Sequence, residues 1–210
     1  MLIILFTKGF LVGLLASIPL GPAGVLCIQR TLNRGRLAGF FSGIGVALAD
    51  TIFAVTAIFS LAAVQDWIAG KEIYLQLLVG VVVVSVGIKI VLTNPIAQLR
   101  MRGKQQHNLL GDLASLFFLS INPVNLLPVL FLVGLFKINA SDLWRESTAI
   151  VGVMTGALTW WFIISTTISH YRKYFKLRQM WWINKLSGAI IFLLGAVAFV
   201  DSIVKVVSRL

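Results

Sequence analysis

Apolar residues run from Met1 to Phe6 and from Phe10 to Ile18, then resume from Ala23 to Ile28 after Pro19-Leu20-Gly21-Pro22. Five further apolar segments follow, at about Leu37–Val64, Ile73–Leu92, Leu113–Phe136, Ser147–Ser169 and Ile183–Val207. Each holds about 20 residues or more, enough for a helix to cross a ~30 Å hydrocarbon core. The pattern predicts an all-α polytopic membrane protein with six transmembrane helices. The first is broken near its middle, because two prolines and a glycine in four residues remove backbone donors and stop a helix. The span around Asn122, Pro123, Asn125 and Pro128 carries a second break. Such breaks are tolerated in a bilayer where the freed backbone is buried in protein or lines a cavity.

Six spans place both termini on one side. That side collects Lys8, Lys71, Lys137, Arg145, Lys205 and Arg209, six basic residues. The other side collects Arg30, Arg34, Arg36, Lys89, Arg100, Arg102, Lys104, Arg172, Lys173, Lys176, Arg178 and Lys185, twelve in all. Positive charge concentrates in cytoplasmic loops, so the second side is expected inside and both termini outside, periplasmic or extracellular. Lys8 and Lys89 lie within apolar segments and are expected to snorkel.

The longest polar stretch, Thr93 to Asp112, divides the single transmembrane domain (1–210) into halves of about 1–92 and 113–210. Leu78-Val79-Gly80 with Gly87 matches Leu186-Ser187-Gly188 with Gly195, at an offset of 108. Ser17-Ile18-Pro19 aligns with Ser120-Ile121-Asn122-Pro123. Halves of three spans must be inverted relative to each other, and inverted repeats with matching broken helices mark secondary transporters. Glycines four apart, at Gly35, Gly39, Gly43 and at Gly152, Gly156, allow close helix approach. Packing within the bundle explains them more readily than a homodimer face, although a homodimer stays open.

Composition narrows the functional classes. The 210 residues are 59% hydrophobic and 12% charged, with mean hydropathy +0.96, too little polar surface for a soluble globule. The net charge of +11 sits in short connections. It therefore speaks for membrane orientation and against a nucleic-acid partner. Cys27 is the only cysteine, and His107 and His170 lie far apart, so neither a disulfide nor a metal or other cofactor is expected. Residues 1–16 lack a basic leader, so a cleaved signal peptide is not expected.

Asp50 lies about thirteen residues into the second span, or ~20 Å along a helix. A carboxylate near mid-membrane costs about 2.5–3.5 kcal/mol and is by default a functional hypothesis; a packing hydrogen bond is the alternative. Asp66, Glu72, Asp112, Asp142 and Glu146 fall at segment ends and are expected to be solvated, with Asp201 an intermediate case. Helices restarting after Pro19, Gly21 and Pro22, and after Asn122 and Pro123, present unpaired N–H groups suited to a carboxylate. Asn122 and Asn125 add neutral donors and acceptors for a zwitterion. Trp160 and Trp161 sit too deep for an aromatic belt and, with Thr155 and Thr159, either line a partly apolar cavity or pack in the core. Trp181 and Trp182 read as an interfacial anchor.

In this order the motifs resemble the lysine-exporter (LysE/RhtB-type) family of bacterial amino-acid efflux proteins. The family's Pro-Gly-Pro is matched by Pro19-Leu20-Gly21-Pro22, with one residue inserted. Its Arg-Gly-x-x-x-Gly is matched by Arg34-Gly35-Arg36-Leu37-Ala38-Gly39, and its glycine pair and aspartate by Gly43, Gly45 and Asp50. Its Asn-Pro-Lys is matched by Asn122-Pro123, followed here by Val124. The resemblance implies an inner-membrane exporter of an amino acid or related amphoteric metabolite, energised by proton exchange, and not an enzyme. Asp50 would be the proton-coupling residue. Pro19, Gly21, Pro22, Asn122, Pro123, Asn125, Thr159 and Trp160 would form the substrate site. A divalent-cation carrier would be expected to hold more acidic or thiol ligands in the bilayer. A membrane-embedded enzyme would need a nucleophile and base at one depth.

Overall fold

The computed structural model describes residues 2–18, 22–68, 108–138 and 143–172, with isolated helical positions between 81 and 92 and between 185 and 204. Among these residues the chain is all helix. The helices with described bounds are α1 (Leu2–Ala16), α2 (Pro22–Arg34), α3 (Arg36–Ile68), α4 (Leu109–Ser120), α5 (Pro123–Leu135) and α6 (Leu143–His170). Apart from those isolated positions, the third and sixth predicted spans lie outside the described residues, as do the L-x-G-x6-G match as a pair, most of the 93–112 loop, Trp181, Trp182 and Asp201.

Two stretches are long and apolar enough to cross a bilayer, Arg36–Ser60 and Trp144–His170. A third crossing is available if α4 and the part of α5 from Asn125 onward, bent by 76°, count as one broken span. Leu2–Ala16 is a shorter apolar helix. The expectation of six spans is thus seen in part among the described residues.

The first predicted segment divides as its prolines require: α1 ends at Ala16 and α2 begins at Pro22. Proline at a helix start loses nothing, because that N–H has no intrahelical partner. However, α2 does not stop at Ile28. It continues through Gln29 and Arg30 to Arg34, so Arg30 is a helical residue and not a loop cation. Gly35 then reverses the chain with φ +93°, in the left-handed region that favours glycine. Cys27 donates to the Gly39 carbonyl at 3.1 Å across that reversal.

α1 packs chiefly on α6, and α3 packs on α4 and α6, while α2 lies on α3. The α1–α6 contact is made by glycine. A Cβ at Gly9 or Gly13 would collide with the backbone of Ala149 or Val153. One at Gly152 or Gly156 would collide with the backbone of Phe6 or Phe10. The numbers rise together, so the two helices run parallel. Along α3, Ser42 shares Arg30 with Asp112, Gly45 sits against the backbone of Leu113 and Phe117, and Phe53 and Ala57 cluster with Val129 and Val133 of α5. The numbers again rise together, so α3 and α4 run parallel as well.

Two apolar clusters form along α3. One gathers Val12, Phe53, Ala54, Ala57, Val129, Val133, Ala149 and Val153. The other gathers Cys27, Val46, Ala47, Leu116, Ala157 and Trp161. Arg30, Arg34, Arg36 and Arg172 lie beyond the second cluster, at one end of the bundle. Arg172 donates to the Asn33 carbonyl at 3.2 Å, and Arg36 lies 4.5 Å over the Phe162 ring.

Without room for a side chain, the α1–α6 contact is sensitive to volume. Gly156→Leu should lower thermal stability in detergent by about 1–3 kcal/mol or more, the usual cost of overpacking. Gly134→Leu, at a position with open space, should leave the melting temperature nearly unchanged. Equal effects from the two would contradict the close contact.

Candidate functional site

Asp50 lies on α3 between the two apolar clusters and is only 6% exposed. The Ser17 hydroxyl donates to its Oδ2 at 2.6 Å. Ser17 is the first residue after α1, where its N–H still bonds the Gly13 carbonyl at 3.1 Å. The break therefore leaves its side chain beside a helix that has ended, pointing at the carboxylate. The glycine contacts hold α1 on α6, which itself packs on α3, the helix that carries Asp50. Pro19 and Gly21 lie outside the described residues, as does the side chain of Pro22.

The second break is at Ile121 and Asn122, with Pro123 opening α5. Pro128, expected to belong to the break, sits inside α5 instead. Asn125 spans the break: its Nδ2 donates to the Ser120 carbonyl at 3.0 Å. That bond occupies an acceptor which the end of α4 would otherwise leave open. Asn122 is exposed, and its carbonyl accepts from the Asn125 N–H at 2.8 Å. Ser120 is buried with no hydrogen-bond partner for its hydroxyl among the described residues. Continuing the parallel register from Gly45 opposite Leu113 and Phe117 brings Ser120 to the level of Asp50. The two breaks thus flank one level of the bundle.

Trp161 is fully buried in the second cluster, with its ring against Gly43. It is core, and its Nε1 has no partner among the described residues, nor has that of half-buried Trp160. Thr159 is half-buried, and its hydroxyl donates to the Thr155 carbonyl at 2.7 Å, a bond within its own helix. Gly13 opposite Val153 and Gly43 opposite Trp161 place Thr159 and Trp160 between the level of Ser17 and the Trp161 layer, while Asn122 stands at the exposed edge.

Asp112 was expected to be solvated and is not: it is 1% exposed. It lies in the first turn of α4, behind Asn108, whose side chain caps the helix through the Gly111 N–H. Arg34 pairs with Oδ2, and Arg30 Nε lies 3.4 Å from Oδ1. Arg30 also donates to Ser42 at 3.0 Å, to the Asp112 carbonyl at 2.8 Å and to Ser115 at 2.8 Å. One guanidinium thus joins α2, α3 and α4. The signal available in sequence was Arg30 and Arg34 four apart on one face of a helix whose first half is apolar. The side chains of Asp66, Glu72, Asp142 and Asp201 lie outside the described residues.

The family model described as LysE type translocator matches residues 14–202. No curated protein and no solved structure matches the chain.

A hydrogen bond to a charged acceptor contributes about 1.5–3 kcal/mol. Ser17→Ala should therefore lower stability by about that amount, read as a drop in the detergent melting temperature. Ser17→Thr, which keeps the hydroxyl, should lose less. An unchanged melting temperature in Ser17→Ala would show that the bond does not stabilise the bundle.

Proposed function

We propose, from the premise that the chain belongs to the LysE type translocator family, that it exports an amino acid or related amphoteric metabolite across the bacterial inner membrane in exchange for protons. The observation that carries this reading is Asp50, buried mid-bundle and bonded to a serine at the end of a broken helix. A buried carboxylate at that depth is costly for a scaffold and useful for a proton-linked carrier. Substrate would bind between the breaks. Its amine would face Asp50, and its carboxylate would face the open N–H groups at the starts of α2 and α5. Pro19, Gly21, Pro22, Asn122, Pro123, Asn125, Thr159 and Trp160 would line that space.

An inverted repeat is supported by the contacts. Exchanging α1 with α4, α2 with α5 and α3 with α6 turns the α1–α6 contact into the α4–α3 contact, and both pairs are parallel. The same exchange turns α2 against α6 into α5 against α3. Ser17 and Ser120 are buried at the two corresponding breaks. Both termini would face outward, since Arg30, Arg34, Arg36 and Arg172 share the end that the positive-inside rule makes cytoplasmic.

The breaks give the sharpest test. Replacing Pro19, Gly21 and Pro22 together by Ala should join α1 to α2, since Pro costs ~3 kcal/mol in a helix interior relative to Ala. Cells overproducing the wild type should release one amphoteric metabolite selectively, and the triple variant, inserted at equal abundance, should release at least roughly tenfold less, ~1.4 kcal/mol in transport barrier. Pro128→Ala, away from the break, should leave release intact. Wild-type release from the triple variant would sink the role of the break. Resistance to a divalent cation without metabolite release would favour a cation carrier.

A further inference from the structure

We propose that Arg30, Arg34 and Asp112 form a gate that closes the basic end of the bundle over Asp50, with Trp161 as the plug beneath it. The inference rests on the transporter reading and adds the place at which the pathway is shut.

Three layers lie in order along α3. Ser42 accepts from Arg30 in the outermost layer, which also holds Asp112, Ser115 and Arg34. One residue further, Gly43 carries the Trp161 ring against its backbone, within the cluster of Cys27, Val46, Ala47, Leu116 and Ala157. Asp50 and Ser17 come next. Eight residues of helix separate Ser42 from Asp50, roughly 12 Å at 1.5 Å per residue. A solute moving along this face of α3 between Asp50 and the basic end would pass the tryptophan layer and then the charged layer.

The chemistry of the outer layer suits a gate better than a permanent brace. A buried ion pair gains little over well-packed apolar residues of the same volume, so a bundle needing only adhesion there has no use for one. What charge adds is a discrete closed state held by directional bonds, which can part as a unit. The helix that would move is identifiable. α2 follows the first break, is tied to α4 through Arg30 and Arg34, and meets α3 at the glycine reversal. Its far end lies at the level of Asp50, so tilting it would uncover the carboxylate and part the Arg–Asp contacts together. Gly39, tight against Thr31, is the pivot contact between α2 and α3.

Cys27, the chain's only cysteine, is buried in the tryptophan layer and so reports on the gate. The test is the rate at which N-ethylmaleimide alkylates Cys27 in proteoliposomes, followed by intact mass. Asp112→Asn should raise the rate at least tenfold, the change produced by ~1.4 kcal/mol taken from the closed state. Asp112→Glu should stay near wild type, and Ser115→Ala, which removes one Arg30 contact, should give a smaller rise. A second reporter, Cys27→Ser with Val133→Cys, places the thiol in the other buried cluster. Its rate should not rise with Asp112→Asn. An unchanged Cys27 rate in Asp112→Asn overturns the gate, as does equal acceleration at both reporters, which would mean general loosening. If Asp112→Asn fails to accumulate, Arg34→Gln and Ser115→Ala read the same contrast. Labelling needs no substrate. Failure of the transport reading alone would therefore appear as wild-type protein that releases no metabolite while its Cys27 rate still responds to Asp112→Asn.

Discussion

The hydrogen bond from Ser17 to Asp50 is the interaction on which the rest of the bundle depends. A carboxylate at mid-membrane costs about 2.5–3.5 kcal/mol, and a hydrogen bond from a hydroxyl to a charged acceptor returns about 1.5–3 kcal/mol. The two magnitudes are of the same order, so the bond offsets much of that cost. It draws on two conditions: α1 ends at Ala16, and α1 lies close on α6, which itself packs on α3. The proline-rich break supplies the first condition. Gly9, Gly13, Gly152 and Gly156 supply the second. Helix packing and site chemistry are therefore one constraint.

Apolar packing on either side of Asp50 gives the arrangement a direction. The cluster around Phe53, Val133 and Val153 lies on one side, and the cluster around Trp161 lies on the other. Beyond Trp161, charge replaces apolar packing, with Arg30 joining three helices through directional bonds. Lipid offers helices little hydrophobic reason to associate. Close backbone contact and polar bonds therefore carry more of the specificity here than they would in water. The two ends of the bundle are held by different chemistry, which is a physical basis for opening them one at a time.

Hydropathy made the helical class, the first break and the burial of Asp50 legible, because each follows from the local run of apolar residues. The same local reading misjudged Pro128, since a proline can be accommodated within a membrane helix when neighbours satisfy the freed carbonyl. Asp112 was misread for a different reason. Its place near a segment end says water, while its burial depends on two arginines 78 and 82 residues earlier. The fit of Gly9 and Gly13 against Gly152 and Gly156 was half visible, in the spacing on α6, but the partner helix was a matter of tertiary structure. Ser17 carries no signal by itself, and only the end of α1 gives its hydroxyl a target.

The central claim is that Asp50 links proton movement to substrate movement. The direct measurement compares wild type with Asp50→Asn in proteoliposomes loaded with the exported metabolite, following exchange without a gradient and accumulation under an imposed pH gradient. Asparagine keeps an acceptor for Ser17 while removing the titrating group, so the variant should insert and exchange substrate down its own gradient. Accumulation against a gradient should be lost. Asp50→Asn protein that accumulates substrate as well as wild type would show that Asp50 is a packing residue and that coupling resides elsewhere.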